Sequence, residues 1–316
     1  MEVQPGIHLI NDKIDATTLA VTLVGGERAL IVDTGLPTTP ERAIYPYLQN
    51  LGLSPGWIET IVNTHCHLDH AGGNGSLLAA NPNARLLIHA SEMPYLASPL
   101  TFVTMLQERY ADGRRQPPPN PETVHRQYGP GSQADASLED GDYVVVDDRS
   151  WRVIHAPGHS AGGICLYEEA SGTLITGDAI QAEGTMSCDL PFYFEAIEYG
   201  RSVRRVSEID VATIIAGHPF KPFPSSVLVG SEARRFLAVS LTAFERLRDQ
   251  VVTILRQAAT LLSTAEIAET LTRLNGFDRC VGPAVQTSRA HLEELRAECV
   301  AERVYVSGAW HWRLKR

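Results

Sequence analysis

Short apolar runs rich in β-branched residues alternate with polar, helix-forming stretches along the first 230 positions of the chain. Residues 19–24 and 29–32 flank Gly25-Gly26-Glu27, which is typical of a β-hairpin. A helix is predicted over 40–51, between Thr39 as N-cap and Gly52, and a second over 75–80. Further strands are predicted at 59–63, 85–89, 143–146, 151–154, 164–167, 174–175 and 213–215. This alternation predicts an α/β architecture with helices on the sheet faces.

Two segments interrupt the alternation. Residues 92–140 include the proline-rich run 116–121 and show little strand pattern, and so long an excursion favours a lid or binding loop. Residues 182–200 form a second irregular, aromatic-rich stretch. Both segments are expected to lie near a functional site.

The pattern becomes helical from about residue 231. Apolar residues keep three- and four-residue spacing from Leu237 to Ala258, and Ser263-Thr264-Ala265-Glu266 has the form of a capping box. Helices at 267–274 and 286–300 and a terminal hairpin follow. We therefore predict two domains, a catalytic domain at 1–230 and a smaller winged-helix-like helical domain at 231–316.

Composition limits the class of protein. There is no apolar run of 18 residues, no basic and apolar leader, and the five cysteines contain no CxxC pair, so we expect a cytoplasmic protein without a membrane segment. Residues 231–316 carry 13 basic and 10 acidic side chains, whereas the rest carries 14 basic and 27 acidic ones. This acidic balance disfavours nucleic acid as a partner without excluding it.

The chemistry begins at Thr64-His65-Cys66-His67-Leu68-Asp69-His70, which follows the strand at 59–63. Imidazole and carboxylate are ligands that suit zinc and similar divalent metals. Three more such residues, His159, Asp178 and His218, each come just after an apolar strand. Since ligands at strand ends can meet at one edge of a sheet, these residues predict a metal site.

These motifs resemble the metallo-β-lactamase superfamily, in its glyoxalase II-like branch. The resemblance rests on HxHxDH at 65–70, on His159, Asp178 and His218 in PGHS, TGDA and AGHP, and on Asp33 in IVDTG. It implies an αββα sandwich and two zinc ions per chain, with iron or manganese as alternatives. By the resemblance, His65, His67 and His159 would hold one metal, Asp69, His70 and His218 the other, and Asp178 would bridge them. Asp33 would orient the site without binding metal.

The expected reaction is hydrolysis of a small acyl substrate, such as a thioester, lactone or related ester or amide, by a metal-bridging hydroxide. Asp69 and Asp178 are the predicted catalytic carboxylates, and Tyr193, Tyr199 and Lys221 are candidates for substrate binding. The alternative is a phosphodiesterase or endoribonuclease of the same superfamily, with RNA held by the C-terminal domain. We further expect a small-molecule substrate and regard a homodimer as compatible with the sequence. An iron dioxygenase of this branch is disfavoured, because both sets of ligands are retained.

Overall fold

Two β-sheets lie face to face in the computed structural model, which describes residues 1–14, 17–110, 117–185, 190–280 and 282–315. The first sheet has seven strands in chain order: β1 (Glu2–Gln4), β2 (Ile7–Ile14), β3 (Thr17–Gly25), β4 (Ala29–Val32), β5 (Ile58–Val62), β6 (Arg85–His89) and β7 (Ala136–Leu138). The pairs from β4 to β7 are parallel, and β1 to β4 are antiparallel. The predicted hairpin of β3 and β4 is confirmed, whereas no strand is predicted before residue 19.

The second sheet has six strands in the order β13-β12-β11-β10-β9-β8. These strands are β8 (Tyr143–Val146), β9 (Arg149–His155), β10 (Ile164–Glu168), β11 (Thr173–Gly177), β12 (Thr213–Ala216) and β13 (Val227–Val229). The strands β11 and β12 are parallel and all other neighbours are antiparallel. The strands β10 and β11 are buried on both faces, and their central residues, Cys165, Leu166, Leu174 and Ile175, are apolar.

Helices cover the outer faces of both sheets. They are α1 (Tyr45–Asn50), which continues a π-helical turn at Pro40–Ile44, α2 (Leu68–Ala71), α3 (Asn74–Ala80), α4 (Met93–Ala97), α5 (Pro99–Tyr110), α6 (Pro121–Tyr128) and α7 (Ala196–Ser207). One apolar core, including Val32, Trp151 and Ile215, fills the space between the sheets. Two others lie between each sheet and its helices. The predicted αββα sandwich is confirmed.

The segment 92–140, for which the sequence shows little strand pattern, is largely helical in its described part. Its described residues form α4, α5, α6 and β7, and residues 111–116 lie outside the described part of the chain. Leu96 and Phe102 of this segment are buried against the first sheet's outer core. We call residues 92–140 the lid segment.

The C-terminal elements follow the predicted order. They are α8 (Ser231–Gln257), β14 (Leu262–Ser263), α9 (Thr264–Leu274), α10 (Gly282–Ala297), β15 (Ala301–Val306) and β16 (Ala309–Leu314), with a β14-β16-β15 sheet. The capping box of Ser263 and Glu266 is present. However, Phe236 and Phe244 of α8 share one buried core with Tyr199 and Phe220, so the two predicted domains are joined by common packing. No helix in the described ranges has the length and apolar character that a bilayer span requires.

Candidate metal centre

Four strand ends and one loop bring the predicted ligands together. Asp33 follows β4, the run 65–70 follows β5, Asp178 follows β11 and His218 follows β12, while His159 lies in the loop between β9 and β10. The two sheets are joined here by hydrogen bonds from the N–H of Ala20 to the carbonyl of Gly217 and from the N–H of Ile164 to the carbonyl of Thr64. The site therefore lies where the edges of the two sheets meet.

Three histidines converge on one point. His159 Nε2 lies 3.1 Å from His65 Nε2 and 3.0 Å from His67 Nδ1. Nitrogen ligands placed tetrahedrally around zinc, at the usual bond length, are about 3.3 Å apart. The three imidazoles thus already have nearly the spacing that one zinc ion requires.

A second group forms around Asp178. His218 Nε2 lies 3.3 Å from Asp69 Oδ2 and 3.5 Å from Asp178 Oδ2. His70 Nε2 lies 3.6 Å from Asp178 Oδ1, and His159 Nε2 lies 3.8 Å from Asp178 Oδ2. The carboxylate of Asp178 consequently stands between the three-histidine group and the group of Asp69, His70 and His218.

Neighbouring acceptors orient the rings of three histidines so that Nε2 faces the cluster. The Nδ1 atoms of His159 and His218 lie 2.7 Å and 3.2 Å from the carbonyl oxygens of Phe192 and Thr18, which can only accept. His70 Nδ1 lies 2.8 Å from Asp33 Oδ2. At His70 and His218 these contacts place the hydrogen on Nδ1, so their Nε2 atoms face the cluster with their lone pairs when the rings are neutral. At His159 the amide nitrogen of Gln181 also lies 2.7 Å from Nδ1.

Asp33 organises this part of the site without joining the cluster. Its carboxylate also accepts the Thr64 N–H at 2.7 Å and the Thr64 hydroxyl at 2.8 Å. The residue is 3% exposed and has φ 62°, a left-handed backbone conformation that aspartate and asparagine tolerate better than most residues. The observed contacts agree with the orienting role expected for Asp33.

Burial and charge set the protonation states. Burial lowers the pKa of His65 well below its ordinary value and that of His67 to about 3, and it also lowers that of His159. Burial alone would raise the pKa of Asp178, but the nearby His218 and His70 lower it. In the same way, His70 and His218 hold the pKa of Asp69 below its usual range. Neutral imidazoles and ionised carboxylates are the forms that bind metal.

Two buried polar atoms test whether a cation fits. His70 Nε2 and Asp178 Oδ1 have no hydrogen-bond partner among the described residues, although buried polar groups nearly always have one. Burial would lower the pKa of His70, yet Asp178, Asp33 and Asp69 raise it well above its usual value. A divalent cation would satisfy both orphaned atoms and would balance the surrounding carboxylates. The donor set therefore fits a metal site.

Two glycines allow the loops that carry the candidate ligands to pack closely together. A Cβ on Gly217 would lie 2.5 Å from Asp178 Oδ1, and a Cβ on Gly177 would lie 2.3 Å from Thr64 Oγ1. Both approaches are far inside van der Waals contact. The glycines in TGDA and AGHP are therefore required by the close packing of the two ligand loops.

A buried carboxylate that the sequence analysis does not single out joins two ligand loops. Glu92 is 1% exposed and accepts the Gly162 N–H at 2.6 Å and the Cys66 N–H at 3.2 Å. It thus ties the loop of His65 and His67 to the loop of His159. No motif marks Glu92, since its partners are backbone groups distant in sequence.

The predicted aromatic contacts are corrected by the structure. Tyr193 and Tyr199 are stacked at 4.2 Å and fully buried in the core, so neither forms an open cleft wall. The Tyr199 hydroxyl accepts the Gln181 N–H, and the Tyr193 hydroxyl lies 2.5 Å from His291 Nε2 of α10. Because side chains alternate along an extended segment, Phe192 and Phe194 take the position predicted for the tyrosines. Their rings lie 6.1 Å and 6.3 Å from that of His67.

Lys221, predicted as a candidate for substrate binding, does not point toward the metal centre. Its ammonium stands 4.3 Å from the centre of the Phe277 ring, in a cavity of about 430 Å³ that Glu183 and Arg246 also line. The chain turns between His218 and Lys221, so proximity in sequence does not bring the lysine side chain to the cluster. The lysine instead makes a cation–π contact with the C-terminal elements.

Comparison with known proteins agrees with the fold and the motifs. The human protein named acyl-coenzyme A thioesterase MBLAC2 is 29% identical over 207 residues, which are 61% of this chain and 70% of that protein. A hydroxyacylglutathione hydrolase of Maricaulis maris (strain MCS10) is 27% identical over 190 residues, 60% of this chain and 59% of that protein.

A crystal structure of a metallo-beta-lactamase family protein from Thermus thermophilus superposes with a TM-score of 0.80 at 24% identity, covering 99% of this chain and 100% of that one. The family model of the metallo-beta-lactamase superfamily matches residues 16–218, which include every residue of the cluster. The chain therefore belongs to the metallo-beta-lactamase superfamily and is a metallo-hydrolase of that superfamily.

Proposed function

We propose that this protein is a two-metal acyl hydrolase whose substrate is a thioester, with zinc as the metal. The observation that carries the proposal is the pair of ligand groups that meet at Asp178. In this proposal His65, His67 and His159 hold one ion, Asp69, His70 and His218 hold the other, and Asp178 binds both. Two such ions would provide a nucleophile by lowering the pKa of a bound water to about 7, and would act as Lewis acids toward the carbonyl oxygen.

The chain's own groups prepare this chemistry. Asp33 holds His70 in one orientation, and the carbonyls of Phe192 and Thr18 do the same for His159 and His218. Asp69, with 38% of its side chain exposed, is the carboxylate of the cluster that faces solvent. There it can accept a hydrogen bond from the attacking water. The rings of Phe192 and Phe194 exclude water from the side of His67.

Two considerations favour a thioester among acyl substrates. One relative is named an acyl-coenzyme A thioesterase, and another is named a hydroxyacylglutathione hydrolase. In addition, a thiolate is a good leaving group that needs little help from a general acid. The described residues of the cluster include no strong proton donor once the histidines bind metal.

The C-terminal elements have a supporting role in this proposal. The Thr287 hydroxyl donates to the Pro191 carbonyl at 2.6 Å, and His291 contacts Tyr193. Both contacts hold the aromatic segment, residues 190–195, whose Phe192 carbonyl accepts from His159. Since Thr287, His291 and Glu294 are buried, α10 packs against the aromatic segment and supports the metal centre.

The test is a substrate panel on metal-loaded protein. An acyl thioester, an acyl lactone and bis-p-nitrophenyl phosphate are compared for wild type and Asp178→Asn, with metal content measured by mass spectrometry. We expect thioester hydrolysis to dominate, to be lost in Asp178→Asn, and to accompany about two zinc ions per chain. Turnover of the phosphodiester alone would overturn the proposal in favour of the phosphodiesterase alternative.

A further inference from the structure

A cavity of about 370 Å³ lies between the lid segment and helices α2 and α3. Its apolar walls come from Cys66 and Leu68 on one side and from Tyr95, Leu96, Phe102 and Tyr128 on the other. Its volume falls within the range of small-molecule sites, which is about 300–1,000 Å³. The lid segment thus encloses a preformed apolar space.

This cavity lies next to the metal centre, although none of the clustered histidines and aspartates lines it. The ring of Phe102 lies 5.4 Å from that of His67, and Leu68 stands in sequence between His67 and Asp69. A substrate whose reacting group sits at the cluster could therefore place an adjoining group in the cavity.

The lining chemistry selects the kind of group. All of its lining residues belong to the described part of the chain, and none of them carries a charge. A phosphate or a carboxylate would lose hydration there without a compensating ion pair, because the polar side chains of the lining offer only hydroxyl groups. A hydrocarbon chain loses nothing comparable, and its transfer from water is favourable.

We propose that this cavity is the acyl-chain site, which takes the unbranched hydrocarbon tail of the substrate while the carbonyl lies at the metal centre. The inference rests on the proposed acyl hydrolysis and adds the substrate class, a medium-chain acyl group. The leaving-group half of the substrate then lies outside the cavity, toward solvent at Asp69.

Two substitutions change the cavity in opposite directions. Gly75 lines it in the first turn of α3, and a Cβ there meets no atom within 4 Å, so Gly75→Leu narrows the space without a backbone clash. Tyr95→Ala widens it by removing a half-buried ring. Ala80→Leu is the matched control, because Ala80 is exposed at the other end of α3 and does not line the cavity.

The first experiment compares kcat/KM for acetyl and octanoyl thioesters of the same thiol. Each methylene that becomes buried should raise kcat/KM by up to about fourfold. We expect wild type to prefer the octanoyl thioester by at least about tenfold, and Gly75→Leu to lower that preference by at least about tenfold. Tyr95→Ala should shift the preference toward longer chains, and Ala80→Leu should leave it as in wild type.

The second experiment separates this inference from the proposed function. Binding of octanoate and acetate to the metal-loaded proteins is measured by titration calorimetry, with no turnover required. Tighter octanoate binding that weakens in Gly75→Leu supports the acyl-chain site, even if no thioester is hydrolysed and the proposed function fails. Equal affinity for octanoate and acetate, or an equal loss in Gly75→Leu and Ala80→Leu, would overturn the acyl-chain site.

Discussion

Asp33 contacts the candidate metal ligand His70 but is not itself a candidate ligand. Replacing Asp33 by asparagine tests whether this contact orients His70. Asparagine has nearly the same shape and tolerates the left-handed backbone at φ 62°, so the substitution changes charge and hydrogen bonding without adding backbone strain. An alanine at this position would add about 1–2 kcal/mol of strain, and its effect would be harder to interpret.

The magnitude follows from the three hydrogen bonds that the carboxylate accepts. Oδ1 accepts from the Thr64 N–H, and Oδ2 accepts from the Thr64 hydroxyl and from His70 Nδ1. The side-chain oxygen of asparagine can accept the hydrogen bonds made either to Oδ1 or to Oδ2 of Asp33. The NH₂ group then faces a hydrogen-bond donor at the other position. Each hydrogen bond to a charged group is worth about 1.5–3 kcal/mol. Because His70 loses its charged partner in either orientation of the amide, metal binding should weaken by about 10- to 100-fold.

The assay is competition for zinc between the protein and a chelator of known affinity, together with thermal unfolding of the metal-free protein. Asp12→Asn is the matched control, because Asp12 is also a buried aspartate and bonds to Thr39 and Arg42 away from the cluster. We expect it to lower stability while leaving zinc affinity unchanged. Wild-type zinc affinity in Asp33→Asn, or the same loss in both variants, would refute the orienting role.

Three further predictions use other parts of the site. Asp178→Asn should lower kcat by at least about 1,000-fold while circular dichroism shows a retained fold, because the charge lost is the one that would bind both ions; residual activity near wild type would contradict the two-metal proposal. Tyr193→Phe leaves the buried Nε2 of His291 without a partner, so it should lower the free energy of unfolding by about 1–3 kcal/mol. Its kcat should stay within about fivefold of wild type, since a catalytic hydroxyl would contribute about 100-fold or more. Lys221→Met should keep kcat/KM within about twofold and lower stability by about 0.5–1 kcal/mol, the value of an exposed cation–π contact; a selective rise in KM would instead restore Lys221 as a substrate contact.

The sequence predicts the fold well and already marks the residues that cluster in the structure, because both depend on local patterns. Strands β4, β5, β11 and β12 are short apolar runs, and each ends at a polar residue that the sheet then carries to a common edge. The capping box at Ser263 is equally local, since both partners lie within one turn.

What the sequence does not predict is the direction in which some side chains point and the hydrogen-bond partners that are distant in sequence. Side chains alternate in direction along this extended segment. Phe192 and Phe194 face His67, so Tyr193 between them points into the core. The sequence alone does not show which of the two alternating sets of side chains faces the cluster and which faces the core. Glu92 reveals its role only through backbone groups of residues 66 and 162, which no spacing rule connects. The interpretation of 231–316 as a winged-helix module stays a prediction.

The position of Glu92 has a consequence for how this fold can diversify. It is the last residue of the helical turn at Ala90–Glu92, directly before α4, so the lid segment is anchored to the ligand loops at its root. Beyond that root, helices α4, α5 and α6 of the lid segment contribute the outer wall of the acyl-chain site. Insertions or deletions after α4 could therefore change which molecules are accepted while the hydrolytic centre stays intact. Substrate range and reaction chemistry are thus free to evolve separately in this chain.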